Sequence, residues 1–114
     1  MKITNAFSLN MLGNKNPESM LHVSIDCKEI SVEEVIEHLQ DPDFGGVESA
    51  VGHEDTANIF SEILGMKIPC ERRTVSLEKG DWAIIGQYKG PRLPEGATKL
   101  PDGATITWFL VEIN

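Results

Sequence analysis

The chain has little of what marks secreted, membrane-bound or disulfide-rich proteins. Its 114 residues include two cysteines, Cys27 and Cys70, which form no CxxC pair. Two cysteines do not make the disulfide framework of a small secreted domain. No apolar run approaches the length of a membrane span, and the first residues lack the apolar stretch of a signal peptide. We therefore expect one soluble domain, residues 1–114, in the cytoplasm, with reduced cysteines.

Motifs for metals, phosphates and dinucleotides are also missing. The three histidines and two cysteines show no paired ligand spacing, and neither HExxH nor CxxC…CxxC occurs. There is no Walker or GxGxxG glycine loop, and the carboxylates form no evident two-metal cluster. The sequence therefore predicts a protein with no metal site and no cofactor.

Basic residues are scarce: ten Lys and Arg stand against eighteen Asp and Glu, for a net charge of −8. Binding of long nucleic acid through a broad basic surface needs many Lys and Arg contacts to phosphate, so the composition argues against it. The charge is uneven, because residues 67–114 contain seven of the ten basic residues and six acidic ones. A site for a small anion should draw on this near-neutral C-terminal part.

The capping residues and apolar patterns in the sequence predict an α+β (mixed α/β) fold. Ser31 and Glu34 form a capping box that opens a helix through about residue 40, and a second helix runs from residue 53 or 54 to 64, with Gly65 at its end. Apolar patterns predict strands at residues 2–5, 20–26, 48–51, 74–77, 82–88 and 105–113. Segments 74–77 and 82–88 are predicted to form a hairpin. Together these elements indicate one mixed β-sheet of about five strands with flanking helices.

The segment 90–96 (GPRLPEG), which we call the Arg92/Glu95 loop, holds an arginine and a glutamate three residues apart. Its two prolines fix φ at their own positions, and its glycines allow backbone angles that other residues avoid. The loop follows the apolar segment 82–88, so it should start from a rigid strand. An Arg/Glu pair held at a strand end indicates a binding or catalytic site. The alternative is a surface turn whose charges meet only water.

His53 is the best candidate for a proton-transfer residue. It lies between a glycine and the start of the second predicted helix, with Glu54 and Asp55 where carboxylates favour the helix dipole. The positive end of the helix disfavours the imidazolium, whereas adjacent carboxylates or a bound phosphate favour it. The alternative is a histidine that only bonds backbone at the helix start. The other two histidines are weaker candidates.

A metal-free set of His, Arg, Glu and small polar groups suits phosphodiester transfer in RNA, where the substrate supplies its own 2′-hydroxyl nucleophile. An imidazolium can protonate the departing 5′-oxygen, and a guanidinium can neutralise the charge that grows on the phosphorus oxygens. The enzyme mainly has to position the substrate and stabilise the charge that develops on the phosphate. His53, Arg92 and Glu95 could do this together if the fold brings them close.

Three segments together match a known pattern: residues 5–12 (NAFSLNML), 51–57 (VGHEDTA) and 86–96 (GQYKGPRLPEG). In this combination and order the sequence resembles the viral ring nucleases, which act as type III anti-CRISPR proteins and are also found in bacteria and prophages. That resemblance implies a metal-independent enzyme that cleaves cyclic tetra-adenylate, the second messenger of type III CRISPR systems, and so switches off their ancillary nucleases. It also implies a homodimer that holds the cyclic ligand at its interface.

The resemblance assigns roles within these segments. His53 would be the general acid, while Arg92 and Glu95 would shape and stabilise the reacting phosphate. Glu95 would either pair with Arg92 or orient the 2′-hydroxyl. The ligand site would be lined by Asn5, Ala6, Phe7, Ser8, Asn10 and Gln87.

The expected products are linear di-adenylates with a 5′-hydroxyl and a 2′,3′-cyclic phosphate or 3′-phosphate end. Two other functions stay open. A dimeric sponge would bind the cyclic nucleotide without cutting it. An interaction protein without a nucleotide ligand would use the Arg92/Glu95 loop as a partner contact.

Overall fold

A computed structural model describes residues 1–14 and 16–114. Within these residues two helices, α1 (Val32–Gln40) and α2 (Glu54–Leu64), accompany short 3-10 helices at Leu9–Met11 and Pro42–Phe44. The described strands form one sheet in the order β2-β5-β4-β1-β3: β1 (Lys2–Thr4), β2 (Ile25–Ile30), β3 (Glu48–Ser49), β4 (Trp82–Lys89) and β5 (Thr105–Ile113). The predicted α+β fold, a mixed five-stranded sheet with flanking helices, is confirmed.

The two sides of the sheet differ in strand direction. β2, β5 and β4 are antiparallel neighbours, whereas β1 is parallel to both β4 and β3. Three strands, β3, β1 and β4, therefore point the same way and end at one edge, which we call the carboxyl edge. β4 extends beyond β1 there, because Thr4 pairs with Ile85 and β4 continues to Lys89.

Both helices begin and end as the sequence predicts. The Ser31 hydroxyl accepts from the Glu34 N–H at 3.1 Å, and the Glu34 carboxylate accepts from the Ser31 N–H at 3.3 Å. This is the predicted capping box. α2 ends at Gly65, whose φ of 65° is a left-handed conformation that suits glycine. Among the described residues, no helix has the length and apolar character that crossing a bilayer requires.

The helices close one face of the sheet, which we call the helix face. At its centre the ring centroids of Phe60 and Trp108 lie 4.7 Å apart. A Cβ at Gly86 would come within 2.5 Å of Phe60 and 2.6 Å of Trp108, so glycine is what lets these rings reach the sheet. The surrounding buried side chains come from both helices and from β1, β4 and β5, among them Ile3, Val35, Leu39, Leu64, Ile84 and Leu110.

Irregular segments cover the opposite face, which we call the loop face. The segment before β2 meets the segment before β4 through two backbone bonds. The Gly13 N–H donates to the Leu77 carbonyl at 2.8 Å, and the Leu77 N–H donates to the Met11 carbonyl at 2.7 Å. The buried side chains of this face are Val75, Leu77, Ala83, Ile85, Val111 and Ile113, with Phe7 and Phe109 packed at its border.

Two sequence predictions are wrong. The strand predicted at 20–26 begins at Ile25 and runs to Ile30. Its residues Ile25 to Glu29 are all exposed, so buried and exposed side chains do not alternate along it. The strand predicted at 74–77, with its hairpin to β4, does not form. Both edges of β4 are occupied by β1 and β5, and Leu77 forms a parallel bridge with Leu12 instead. Such a pairing with a distant segment is not encoded in the local turn residues.

Candidate functional site

The carboxyl edge gathers the three segments that the sequence singles out. Asn5 follows β1 directly, His53 follows β3 by a few residues, and Arg92 follows β4. Side chains beyond the carboxyl ends of parallel strands lie close together, and open α/β sheets bind ligands there. The parallel pairing of β1 with both of its neighbours therefore explains why segments far apart in sequence converge.

A cavity of about 650 Å³ opens beside the ends of β1 and β3, and we call it the β1–β3 cavity. Thr4 fixes the backbone around it, since its hydroxyl lies 3.3 Å from the Ala50 carbonyl oxygen and 3.4 Å from that of Ala6. The predicted site residues that line the cavity are Asn5, Ala6, Ser8, Asn10 and His53.

The segment after β1 turns sharply and presents small polar groups. The Ser8 carbonyl accepts from the Met11 N–H at 3.0 Å, which starts the 3-10 helix. Within the described part of the chain, the Ser8 hydroxyl makes no capping hydrogen bond. That hydroxyl and the amides of Asn5 and Asn10 can therefore donate to phosphate oxygens or to bases.

His53 is the N-cap residue of α2, but its ring does not cap the helix. Its backbone is extended, with φ −117° and ψ 127°, and its carbonyl accepts from the Ala57 N–H at 3.0 Å. Among the described residues, the imidazole makes no capping hydrogen bond, and the side chain is exposed at the cavity wall. The ring is therefore not committed to a capping bond, and the proton-transfer role of His53 stays a prediction.

Arg72 lines the β1–β3 cavity and is absent from the sequence prediction. Its Nε donates to the Gly52 carbonyl at 3.0 Å, and a Cβ at Gly52 would lie 3.4 Å from its Cγ. The Arg72 side chain therefore lies over the residue that precedes His53. The backbone is held there by the Glu71 N–H, which donates to the Val51 carbonyl at 2.9 Å.

Arg73 also lines the cavity. One of its guanidinium nitrogens lies 3.8 Å from a Glu71 carboxylate oxygen, so its charge is partly compensated. The sequence did hold a signal for Arg72 and Arg73, because residues 67–114 contain seven of the ten basic residues. Which of them reaches the residue before His53 depends on the hydrogen bond from Arg72 to Gly52, twenty residues away in the chain.

Arg92 and Glu95 lie beside the cavity rather than in it. Both are exposed, and neither is among the described residues that line the cavity. The reason is the length of β4, which carries the chain past the end of β1 before the loop begins. Both residues belong to the described part of the chain, and no ion pair joins them.

A hydrogen bond anchors each end of the Arg92/Glu95 loop. At its start the Tyr88 hydroxyl donates to the Pro91 carbonyl. At its end the Gly96 N–H donates to Oδ1 of Asp55 at 3.2 Å. Asp55 lies two residues after His53, so the loop is tied to the helix that begins at the proton-transfer candidate.

A second concavity of about 330 Å³, which we call the sheet groove, lies on the loop face. It contains Phe7 and Gln87, so these two predicted ligand residues do not lie in the β1–β3 cavity. Asn5 and Ala6 line both concavities, which therefore adjoin. The other groove residues are Ile25, Cys27, Ile85, Phe109 and Val111.

The titratable side chains of the site are dispersed. Among the described residues, no group of three or more His, Cys, Asp or Glu side chains is placed to hold a metal ion. Cys27 and Cys70 are free and exposed. The arrangement offers an imidazole, guanidinium groups and small polar donors around a cavity, which is a set suited to a phosphate-containing ligand.

Comparison with known proteins identifies the family. The model of the STIV B116-like family matches residues 1–103. This chain belongs to that family. A solved structure, B116 of Sulfolobus turreted icosahedral virus (STIV), is similar with a TM-score of 0.73 and 29% identity, covering 97% of each chain.

A curated relative is similar over a shorter stretch. It is Uncharacterized protein 26 of Sulfolobus islandicus filamentous virus (isolate Iceland/Hveragerdi), 38% identical over 72 residues. The match covers 63% of this chain and 58% of the relative, so it spans little more than half of that protein's length. Both named relatives are proteins of archaeal viruses.

Proposed function

We propose that this member of the STIV B116-like family is a metal-independent ring nuclease. It cleaves cyclic tetra-adenylate to linear di-adenylates in the host cytoplasm and thereby switches off type III CRISPR ancillary nucleases. The observation that supports this most is the convergence at the carboxyl edge of His53, the arginine-bearing segments and the polar segment after β1. Transfer to a 2′-hydroxyl needs a proton donor, cations for the phosphate and small hydrogen-bond donors, and these are the groups that meet there.

In the proposed reaction the 2′-oxygen of one nucleotide attacks the adjacent phosphorus, and the bond from phosphorus to the 5′-oxygen breaks. His53 donates a proton to the departing 5′-oxygen. Glu95 orients the 2′-hydroxyl, whose proton passes to the carboxylate or to water. Arg72 and Arg92 offset the negative charge that grows on the non-bridging oxygens. Each cleavage leaves a 2′,3′-cyclic phosphate and a 5′-hydroxyl, and two cleavages of the ring release two di-adenylates.

The size of the cavity supports a homodimer with the ligand at its interface. Pockets of roughly 300–1,000 Å³ hold drug-sized ligands. The β1–β3 cavity, at about 650 Å³, falls in that range, whereas a ring of four nucleotides is larger than a drug-sized ligand. Two cavities related by a twofold axis would hold one ring and present equivalent phosphates to two sites. Exposed apolar groups in the adjoining sheet groove, such as Ile25 at 38% exposure, give a second copy a surface to cover.

The test is incubation of purified protein with cyclic tetra-adenylate and a metal chelator, followed by chromatography and mass spectrometry of the products. We expect linear di-adenylates with the ends described above. Intact cyclic ligand recovered in stoichiometric complex would contradict cleavage and identify a sponge. Activity that returns only when a metal is added would contradict metal independence.

A thermal-shift measurement distinguishes a nucleotide-binding protein from the remaining alternative, an interaction protein without a nucleotide ligand. A ligand that binds only the folded protein raises its stability by roughly 2.7 kcal/mol at 100 times its Kd. We expect cyclic tetra-adenylate to raise the melting temperature accordingly. No shift together with no cleavage would favour an interaction protein that has no nucleotide ligand.

A further inference from the structure

The hydrogen bond between Gly96 and Asp55 joins the two parts of the proposed site. Oδ1 of Asp55 accepts from the Gly96 N–H at 3.2 Å, across 41 residues of sequence. Among the described residues, it is the hydrogen bond that ties the loop between β4 and β5 to a helix. The contact therefore decides where the end of this loop lies relative to α2.

On the loop side, the bond holds a tight turn that contains Glu95. The Ala97 N–H donates to the Pro94 carbonyl at 3.1 Å, and φ of Gly96 is 79°. Glu95, the second of the four turn residues, has no positive φ, so the positive φ at the third residue matches a type II turn, which favours glycine there. The N–H that Asp55 accepts belongs to the peptide joining Glu95 to Gly96, so the bond fixes the backbone from which the Glu95 side chain starts.

On the helix side, Asp55 is held by α2. It lies in the first turn, two residues after His53, and its side chain is half-buried. The Ala57 N–H bond to the His53 carbonyl closes that turn and fixes the spacing between His53 and Asp55. A single carboxylate therefore connects the backbone of the proposed general acid to the backbone of Glu95.

We propose that Asp55 is a positioning residue of this enzyme: its carboxylate holds the Arg92/Glu95 loop against the start of α2, so that Glu95 and His53 act on the same phosphate. This inference rests on the proposed function. The contact itself is a property of the folded chain, and it can be measured without substrate.

The control must separate the hydrogen bond from the charge, because an aspartate in the first turn also interacts favourably with the helix dipole. Glu54 supplies that control. It is the adjacent acidic residue of the same turn and is exposed, and within the described residues it makes no hydrogen bond to the loop. Three variants are therefore compared: Asp55→Ala, Asp55→Asn, which keeps an oxygen acceptor, and Glu54→Ala.

The first measurement is amide hydrogen exchange of Gly96 by NMR in the ligand-free protein. Loss of one charge-assisted hydrogen bond in Asp55→Ala should speed exchange about tenfold. The second is single-turnover cleavage of cyclic tetra-adenylate with a chelator present. Misplacing Glu95 in Asp55→Ala should slow cleavage by about 10- to 100-fold with little change in Kd. Glu54→Ala should stay close to the unmodified protein in both measurements, and Asp55→Asn should fall between it and Asp55→Ala, because a neutral amide oxygen keeps the hydrogen bond at about half its strength.

Unchanged Gly96 exchange in Asp55→Ala would overturn the positioning role. An equal loss of cleavage in Asp55→Ala and Glu54→Ala would also overturn it, because the loss would then come from charge. A failure of the proposed function looks different: the unmodified protein cleaves nothing, while the exchange of Gly96 still responds to Asp55→Ala. Asp55 would then hold a loop but position no catalytic group. Melting temperatures of all variants show whether the fold is kept.

Discussion

The two faces of the sheet are built differently. On the helix face, regular helices pack side chains such as Phe60 and Ile84 out of contact with water. On the loop face, irregular segments cover the sheet and leave the sheet groove open at their border. Close packing favours stability, whereas segments that follow strand ends leave polar groups free for a ligand. The site residues come from such segments, and His53 is the exposed N-cap residue that precedes α2.

The largest expected effect, and the first test of this difference between the two faces, is that of Phe60→Ala. Phe60 is fully buried against Trp108, and truncating such a residue costs roughly 3–5 kcal/mol of unfolding free energy. Phe7 is half-buried at the border of the loop face, so Phe7→Ala should cost only about 1–2 kcal/mol. Urea denaturation of both variants measures the difference. Equal losses of unfolding free energy would show that the two faces contribute equally to stability.

Arg72→Ala should affect ligand binding rather than the fold. Charge-assisted hydrogen bonds are worth roughly 1.5–3 kcal/mol, so the Kd for cyclic tetra-adenylate should rise at least about tenfold. Arg72→Lys should recover part of this, since lysine keeps the charge but not the fork geometry. Calorimetric titration in a His53→Ala background measures Kd without consuming the ligand.

The matched control for Arg72 is Lys67→Ala. Lys67 is exposed and is not among the described residues that line the β1–β3 cavity. Its removal should change Kd much less than removal of Arg72. The same rise in Kd for both variants would mean that net charge, and not the contact at Gly52, governs binding.

The smallest effect is expected for Lys2→Ala. Nζ of Lys2 donates to the Ser76 carbonyl at 3.0 Å and lies 3.8 Å from an Asp81 carboxylate oxygen. Both side chains of the ion pair are about one-third exposed, at 32% and 39%. Exposed pairs contribute about 0–1 kcal/mol, and salt screens them. Urea denaturation at low and high salt should show a small loss that shrinks with salt, whereas a loss larger than that of Phe7→Ala would contradict the division of the faces.

Local signals in the sequence predicted much of the fold. The capping box at Ser31 and the glycine after α2 act within a few residues, and the predicted bounds of β5 match Thr105–Ile113. The errors concern contacts made over long distances along the chain. Leu77 pairs with Leu12 instead of forming a hairpin, because β1 and β5 already occupy both edges of β4.

The same distinction applies to the candidate site. Asn5, Ser8 and His53 belong to recognisable motifs, and they line one cavity. Arg72 belongs to no motif, because its place depends on a hydrogen bond to Gly52 that only the fold creates. The position of Arg92 outside the cavity depends on how far β4 runs past β1, which the pairing register sets.

The most direct test of the proposed function compares His53→Ala with His22→Ala in single-turnover cleavage of cyclic tetra-adenylate with a chelator present. His22 is exposed and, among the described residues, is not part of the β1–β3 cavity wall. Loss of a general acid should slow cleavage by at least about 100-fold in His53→Ala, with ligand binding and melting temperature retained. His22→Ala should cleave at the unmodified rate. Cleavage by His53→Ala at the rate of His22→Ala would contradict the account.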